Sequence, residues 1–285
     1  DAGDVLLGQR LVEHDLVQPV EELRTEGPLE QLIDLVPGLL ADLSIRPDAV
    51  QQELAAQVEV CITCVPMPKD AKGVLLGPDG VFENLPEGGV HFDLSTLDIE
   101  TVVMLEAEAA KRGKKYLVIP MGKGPAFAAD GTCPLFGGGD KATYDKYEEC
   151  LLKKMGKPAY IGDVKAGCAL KLIQNLMGMS INAVCSESIK LAKLTNIPKE
   201  QFIEQISNSG AFSFQFKNTA SGTFDEDFEH PVFTVNLAFK DVRLGIEMCE
   251  SLGQRVPMMS RAREVFAATA EKYGEENFTA TFKML

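Results

Sequence analysis

A lysine and an asparagine on one long predicted helix are the residues of this sequence best suited to proton transfer. The segment Gly162–Leu194 carries apolar residues at helical spacing. About 30 residues at ~1.5 Å each predict a helix roughly 45 Å long. Lys171 and Asn175 follow Gly167 at intervals of four residues, so the three lie on one face of that helix. Burying a cation and an amide is unfavourable without partners, and we interpret a bound substrate as that partner.

This pair could take part in proton transfer to or from a bound substrate. A positioned general acid stabilises a developing negative charge on oxygen by protonating it. A lysine performs this step best where burial lowers its pKa towards neutrality. The spacing alone leaves a second interpretation open, in which Lys171 extends its ammonium group to the surface and Asn175 is a hydrogen-bonded core amide.

The residues upstream of the long helix predict an α/β domain. Strands and helices alternate at Val58–Pro66, Lys69–Leu76, Gly89–Leu94, Ile99–Arg112 and Lys114–Pro120, preceded by a predicted helix at Pro47–Ala56. Such alternation is typical of parallel βαβ units, whose ligands bind at the carboxyl ends of the strands. Three short segments should therefore share one binding edge, namely Val65-Pro66, Ser95-Thr96 and Met121-Gly122-Lys123. The two hydroxyl groups of Ser95-Thr96 could equally cap the following helix.

Other segments complete the predicted organisation. We expect a strand at Gly131–Leu135, a turn at Gly137–Gly139, and a helix over Lys141–Met155 capped by Asp140. Downstream of the long helix the pattern is wholly helical, at Pro198–Ser207, Phe212–Thr219, Pro231–Leu252 and Pro257–Tyr273. This change places the domain boundary near residue 163. At the amino terminus, Val5–Leu16 and Leu29–Leu43 resemble short amphipathic helices.

Composition excludes several classes of protein. The net charge of −14 over 285 residues argues against a nucleic-acid surface, which needs clustered lysine and arginine. No apolar run approaches the ~18 residues of a membrane span, and residues 1–20 carry no signal-peptide pattern. Seven cysteines without framework spacing fit thiols better than disulfides. We therefore expect a reducing compartment, the cytoplasm or the mitochondrial matrix.

Two further motifs are better explained by structure than by chemistry. Cys61 and Cys64 could form half a metal site, but the three histidines offer no second ligand pair, and strand alternation puts the two sulfur atoms on opposite faces. Buried small hydrophobic residues explain them better, and we expect no metal site. Gly137–Gly139 lacks the G-K-[ST] of a phosphate-binding loop, so a turn is the better interpretation.

Several motifs in the correct order resemble those of the β-hydroxyacid dehydrogenase family over about residues 45–285. This family includes 3-hydroxyisobutyrate dehydrogenases, tartronate semialdehyde reductases and, more distantly, 6-phosphogluconate dehydrogenases. The long helix carries the spacing Gly167-x-x-x-Lys171-x-x-x-Asn175 that resembles the family signature. The other resemblances are of Val60–Pro66 to D-V-V-I-T-M-L-P, Asp93–Thr96 to D-M-S-T, Gly131–Gly138 to G-T-L-x-x-x-x-G-G, and Phe239-Lys240-Asp241 to x-K-D-L.

The resemblance implies a role for each matched residue. It implies that Lys171 donates and accepts the proton, that Asn175 orients the substrate, and that Lys240 binds substrate or cofactor. Ser95 and Thr96 would lie near the substrate, with Thr96 also near the nicotinamide of NAD or NADP. Val65-Pro66 would line the cofactor, and Gly122-Lys123 would bind the substrate. A lysine at position 123 departs from the usual Ser-Gly-Gly and suits an anionic head group, as in the branch that resembles sulfolactaldehyde reductases.

One departure weakens the match. Residues 1–50 contain no G-x-G-x-x-G, whose glycines let backbone amides approach a pyrophosphate at a helix N-terminus. We expect an α/β Rossmann-like domain over residues 1–163, atypical at 1–45, followed by an all-α domain over 164–285 for substrate binding and dimerisation, opening with a long interdomain helix. The predicted function is NAD(P)-dependent oxidoreduction of a small β-hydroxy acid or its semialdehyde by a homo-dimer or homo-tetramer. The alternative is a catalytically silent relative that acts as a binding or oligomerisation module.

Overall fold

The structure is a computed structural model that describes residues 5–9 and 50–285. The chain divides into two compact units, Asp1–Lys171 and Leu172–Leu285. The division falls inside the long helix, whereas the sequence places the functional boundary near residue 163. The assignment of residues 1–163 to the cofactor and 164–285 to substrate and dimerisation stays a prediction.

A mostly parallel sheet forms the centre of unit 1. Its strands are β1 (Val5–Gln9), β2 (Val60–Cys64), β3 (Val90–Asp93), β4 (Lys115–Val118), β5 (Pro134–Gly138) and β6 (Lys157–Gly162), and they lie side by side in this order. All neighbouring pairs are parallel except β4 and β5, which are antiparallel. The predicted α/β domain is therefore confirmed, and β2, β3 and β4 have their carboxyl ends at one edge.

Short helices connect these strands. They are α1 (Val50–Ala55), α2 (Pro68–Leu75), α3 (Val81–Asn84), α4 (Ile99–Lys111), α5 (Pro125–Ala129), α6 (Lys141–Tyr147) and α7 (Lys153–Met155), with a π-helical turn at Glu148–Leu152 before α7. Aspartate side chains cap the starts of α4 and α6 by accepting hydrogen bonds from backbone N–H groups. Asp98 accepts from the Thr101 amide at 2.7 Å, and Asp140 accepts from the Thr143 amide at 3.1 Å.

The two faces of the sheet have different chemistry because side chains alternate along each strand. One face belongs to a hydrophobic core that includes Ile62, Phe92, Leu117, Leu135 and Leu152, all buried. The opposite face of β2, β3 and β4 contains buried polar and aromatic residues, namely Thr63, His91, Asp93 and Tyr116. The same sheet therefore has one apolar face and one face that must satisfy hydrogen-bonding groups.

The glycine cluster is part of a strand rather than a turn. Gly137 and Gly138 belong to β5, so the strand predicted at Gly131–Leu135 lies three residues further along, and only Gly139, at φ 134°, leaves the strand. The physical reason is close packing. A Cβ atom on Gly137 would lie 2.3 Å from Cε2 of Tyr144, and one on Gly138 would lie 2.4 Å from the Asp163 carbonyl oxygen.

Three other local predictions differ from the structure. The helix predicted at Val5–Leu16 is wrong over Val5–Gln9, because that segment is a strand that pairs in parallel with β2. The helix predicted over Lys141–Met155 is interrupted by the π-helical turn, and β6 has no predicted counterpart. Residues 10–49, including the helix predicted at Leu29–Leu43, lie outside the described residues.

Unit 2 consists of helices joined by loops. Helix α8 (Val164–Leu194) begins in unit 1 and continues into unit 2, followed by α9 (Lys199–Ser207), α10 (Phe214–Asp225), α11 (Val235–Ser251), α12 (Pro257–Tyr273) and a 3₁₀ helix at Phe278–Met284. Helices α11 and α12 pack together, with Ala238 and Phe266 fully buried. The predicted all-α domain that opens with a long helix is confirmed.

Several classes of site find no support in residues 5–9 and 50–285. No helix described there is long and apolar enough to cross a membrane. No group of three or more His, Cys, Asp or Glu side chains in those ranges could hold a metal ion. All seven cysteines fall within residues 50–285, and none of them forms a disulfide. Burial raises the pKa of Cys61 to about 12, which keeps its thiol protonated.

Candidate active site

Two glycines fix the position of helix α8 against the sheet of unit 1. A Cβ atom on Gly167 would lie 3.0 Å from the backbone of Gly138 and 2.9 Å from Cγ2 of Val118. Helix and strand backbones therefore approach each other at a distance that only glycine permits. Lys171 lies four residues further along the helix, so this contact sets where its side chain begins.

The Lys171 side chain is buried. Its exposed fraction is 7%. Burial raises the pKa of the Cys133 thiol, and the positive charges of Lys123 and Lys171 are among the effects that oppose this rise. Both ammonium groups must therefore lie within electrostatic reach of Cys133. Unit 1 brings Lys123 and Lys171 towards the same buried thiol.

Lys123 stands in an unusual backbone conformation. Its φ is 63°, in the left-handed region that glycine adopts readily and other residues adopt at a cost. Its Nζ atom lies 4.3 Å from the centre of the Phe127 ring, close enough for a cation–π interaction. The preceding Gly122 is buried, and its amide donates to the carbonyl of Pro134 at 2.8 Å. The hydrogen-bonded turn at Gly122 thus sets where the Lys123 side chain begins.

The carboxyl ends of β2 and β3 are joined by a side-chain hydrogen bond. The Val65 amide donates to Oγ of Ser95 at 2.9 Å, and the Ser95 amide donates to Oδ1 of Asp93 at 2.9 Å. Val65 and Ser95 are buried, whereas Pro66 and Thr96 are partly exposed. The structure therefore brings together the predicted residues Val65 and Ser95. Their roles as cofactor and substrate ligands stay predictions.

In unit 2, one carboxylate organises the other predicted residues. Nδ2 of Asn175 donates to Oδ2 of Asp241 at 2.5 Å, and Nζ of Lys240 lies 2.7 Å from Oδ1 of the same carboxylate. All three residues are buried. Helix α11 can approach α8 here because Gly245 has no Cβ atom, which would otherwise lie 3.1 Å from Cβ of Leu176. Asp241 thus fixes which way Asn175 points.

The predicted residues fall into two groups, one in each unit. Unit 1 contains the predicted binding edge at β2 and β3 together with the pair Lys123 and Lys171. Unit 2 contains Asn175, Lys240 and Asp241. Sequence reasoning gave no role to Asp241, although an acid next to Lys240 on a helix with an apolar face was a visible signal.

The parallel sheet, the long helix and the helical second part together define a class of NAD(P)-binding oxidoreductase fold. Residues 24–168 match the family model described as the NAD-binding domain of 6-phosphogluconate dehydrogenase. Residues 166–285 match the model described as NAD-binding of NADP-dependent 3-hydroxyisobutyrate dehydrogenase. The chain belongs to the β-hydroxyacid dehydrogenase family, as its motifs predicted. The predicted cofactor class, NAD or NADP, is confirmed at the level of these domains.

The curated proteins similar to this chain include a nuclear factor and a reductase. The chain is 29% identical to the cytokine-like nuclear factor N-PAC of Xenopus tropicalis over 238 residues, which cover 81% of this chain and 43% of that protein. The human N-PAC is 28% identical over the same length. The chain thus spans less than half the length of these relatives. The 3-sulfolactaldehyde reductase of Escherichia coli (strain K12) is 26% identical over 86% of this chain and 83% of that enzyme.

Solved structures support the fold. The 3-hydroxyisobutyrate dehydrogenase of Salmonella typhimurium aligns with a TM-score of 0.76 at 23% identity, covering 82% of each chain. The 3-hydroxyisobutyrate dehydrogenase of Mycobacterium tuberculosis, solved with L-serine, aligns with a TM-score of 0.75 at 22% identity, covering 88% of this chain and 87% of that one.

The described residues fit a nicotinamide cofactor at the strand ends. Parallel strands β2 and β3 end side by side, and the turn after β3 presents the partly exposed Thr96 next to a buried, hydrogen-bonded Ser95. Hydroxyl and backbone groups of this kind match the amide and ribose hydroxyls of a dinucleotide.

Replacing Gly167 with alanine should destabilise unit 1. The added methyl group would meet the Gly138 backbone and Val118, and relieving that overlap should cost ~1–3 kcal/mol. Gly73 on α2 is the matched control, because a Cβ atom there has nothing within 4 Å, so Gly73→Ala should be neutral or stabilise by up to ~1 kcal/mol. Thermal melting of the three proteins measures both effects. Equal melting temperatures for Gly167→Ala and wild type would contradict the close contact.

Proposed function

We propose that this chain is an NAD(P)-dependent reductase or dehydrogenase that acts on a small anionic β-hydroxy acid or its semialdehyde. Lys171 is the proton donor and acceptor in this proposal. Family membership supports an oxidoreductase, and the name of the Escherichia coli relative supports an aldehyde with a second, anionic group as one form of the substrate.

One observation carries the proposal, the buried ammonium group of Lys171. A lysine that is 7% exposed is unfavourable for stability unless something stabilises its charge. The close contact of Gly167 with Gly138 fixes the helix backbone from which the Lys171 side chain extends. A fixed, dehydrated proton donor is what alkoxide formation requires.

The chain's residues divide the chemistry between them. Val65, Pro66 and Thr96 at the ends of β2 and β3 would hold the cofactor, which would supply hydride chemistry there. Lys171 gives its proton to the oxygen of the carbonyl group during reduction and takes the proton from the hydroxyl during oxidation. Asn175, one helical turn further on, hydrogen-bonds the substrate, and the carboxylate of Asp241 holds its amide in one orientation. Lys240 contributes positive charge beside that carboxylate.

Lys123 provides the substrate preference in this proposal. The charges of Lys123 and Lys171 both lower the pKa of the Cys133 thiol, so an anion near Cys133 would interact with both charges. The left-handed backbone at residue 123 is unfavourable for a lysine, which is typical of positions held for a function. A carboxylate or sulfonate on the substrate would be attracted by these positive charges.

A second candidate is a catalytically silent relative that binds other molecules or assembles with copies of itself. The names of the N-PAC relatives describe a nuclear factor rather than an enzyme. The absence of G-x-G-x-x-G from residues 1–50 favours the same candidate. The presence of both Lys171 and Asn175 favours the enzyme.

The substitution Lys171→Met tests the proposed proton transfer. Removing the ammonium group while keeping a long apolar side chain should lower kcat by ~10²–10⁴-fold, with little change in the Kd of NADH or NADPH. The matched control is Lys165→Met, an exposed lysine on the same helix, which should keep wild-type kcat. Steady-state kinetics over a panel of β-hydroxy acids and semialdehydes give the comparison.

Cofactor titration decides between the two candidate functions. A ligand that binds only the folded state stabilises it by ~2.7 kcal/mol at 100 times its Kd, so the melting temperature must rise. We expect a rise with NADH or NADPH in both wild type and Lys171→Met. No rise with either cofactor at millimolar concentration would favour the silent relative, and normal turnover in Lys171→Met would remove Lys171 from the mechanism.

The substitution Lys123→Ala tests the substrate assignment. Losing one charge-assisted contact of ~1.5–3 kcal/mol should raise the KM of anionic substrates by roughly 10–100-fold and leave the KM of the cofactor nearly unchanged. Lys154→Ala, an exposed lysine of the same unit, is the control and should change neither constant. An unchanged KM across all acidic substrates would exclude Lys123 from the substrate site.

We also propose a homo-dimer or homo-tetramer in the cytoplasm or mitochondrial matrix. Apolar side chains form one exposed stripe on α8, at Ile173, Met177, Val184 and Leu191, each at least 48% exposed. Their spacing of four and seven residues is typical of a helix face that packs against another protein surface. Sedimentation equilibrium at micromolar concentration should give at least twice the mass of one chain, and a monomer would contradict this proposal.

A further inference from the structure

A buried polar ladder crosses the face of the sheet opposite the hydrophobic core. Residues of neighbouring strands stand in register, with His91 beside Tyr116 and Thr63 beside Asp93. Oγ1 of Thr63 lies 3.0 Å from Nε2 of His91, whose ring stacks on that of Tyr116 at 5.6 Å with an interplanar angle of 6°. Burial lowers the pKa of His91 to about 3, so the imidazole is neutral.

The ladder ends at a fully buried carboxyl group. Oδ2 of Asp93 accepts a hydrogen bond from the Tyr116 hydroxyl (3.0 Å), and Oδ1 accepts one from the Ser95 amide (2.9 Å). Burial raises the pKa of Asp93, and the hydrogen bonds from Ser95 and Tyr116 oppose that rise. Burial above all, together with the nearby charge of Asp93, raises the pKa of Tyr116 well above its ordinary value, so its hydroxyl stays a donor.

From Asp93 the contacts continue to the binding edge. Oγ of Ser95 accepts the amide of Val65, which joins the end of β3 to the end of β2. The thiol of Cys168, on the same helix as Lys171, donates to the carbonyl of Leu97 at 3.2 Å. The turn that contains Ser95 and Thr96 is therefore held by a carboxyl group, by β2 and by α8.

Holding the sheet together does not require this carboxyl group. Backbone hydrogen bonds already pair β2, β3 and β4, and an apolar side chain at position 93 would avoid the penalty of burying a carboxyl group. What the Asp93 side chain adds is a fixed backbone at Ser95, one residue before Thr96. Precise placement of groups around a ligand depends on supporting contacts of this kind.

We propose that Asp93, held by the hydroxyl of Tyr116, is a positioning residue for the dinucleotide-binding edge of unit 1. It acts through the Ser95 amide and, through Ser95 Oγ, on the end of β2 at Val65. The inference rests on the proposed function, because it assigns these contacts to NAD(P)(H) binding. It adds Asp93 and Tyr116 to the residues on which that binding depends.

Variants at Asp93 test this role by comparing a substitution that removes its hydrogen bonds with a conservative substitution that keeps them. Asp93→Leu removes both hydrogen bonds and should weaken the Kd of NADH or NADPH at least ~10-fold. Asp93→Asn can still accept the Ser95 amide and can donate to the Tyr116 oxygen, so its Kd should stay within ~3-fold of wild type. Tyr116→Phe keeps the aromatic ring and should weaken binding by an intermediate factor, which provides a measurement if Asp93→Leu does not fold.

The matched control is Thr63→Val, which removes one buried hydrogen bond from the same face of the sheet without touching Ser95. It should lower the melting temperature and leave the cofactor Kd unchanged. Amide hydrogen exchange supplies a second measurement on the protein without cofactor. Protection at Ser95 and Val65 should fall at least ~10-fold in Asp93→Leu, or in Tyr116→Phe by less, and persist in Asp93→Asn.

The outcomes separate this inference from the proposed function. If wild type binds neither NADH nor NADPH, the proposed function fails and this inference fails with it. If wild type binds and Asp93→Leu or Tyr116→Phe binds equally well, only the positioning role is overturned. Unchanged amide protection at Ser95, or a Thr63→Val variant that loses cofactor affinity to the same extent, would also overturn it.

Discussion

The backbone contact between helix α8 and strand β5 is the constraint on which the candidate site depends. Gly138 and Gly167 each lack the Cβ atom that would push the two backbones apart, so the helix lies directly against the end of the sheet. Lys171 lies four residues further along the helix, so this contact determines where its buried side chain begins. Gly167 is therefore required for packing, and that packing sets the position of Lys171.

Much of the fold could be predicted from the sequence because its local signals agree with its packing. Helix α8 was expected within two residues of its observed start, and α12 (Pro257–Tyr273) with both ends correct, because apolar periodicity and proline boundaries act locally. Glycines misled the prediction in β5. A run of glycines usually indicates a turn, whereas Gly137 and Gly138 are needed in a strand for close contacts that only the folded chain defines. Strand β6 contains a proline and ends in a glycine, which weakened its signal.

The candidate site was predictable to a different extent in its two parts. Spacing along a helix is a local property, and it singled out Lys171 and Asn175. The resemblance of Phe239-Lys240-Asp241 to x-K-D-L added Lys240. Neither signal identified their partners, because Asp241 contacts Asn175 from another helix, 66 residues away in sequence. Such a pairing follows from how α11 packs on α8 and not from any pattern in either segment alone.

Buried carboxyl groups recur as the supports of these predicted ligands. Asp93 holds the Ser95 amide in unit 1, and Asp241 holds the Asn175 amide in unit 2, each at 2.9 Å or less. A carboxyl group has two acceptor oxygens, so it can fix a functional group with one oxygen and be fixed itself through the other. Tyr116 provides that second contact to Asp93, and Lys240 provides it to Asp241. An acid inside an otherwise apolar strand or helix face is therefore the sequence signal for such a support, since burial is tolerated only where both oxygens find partners.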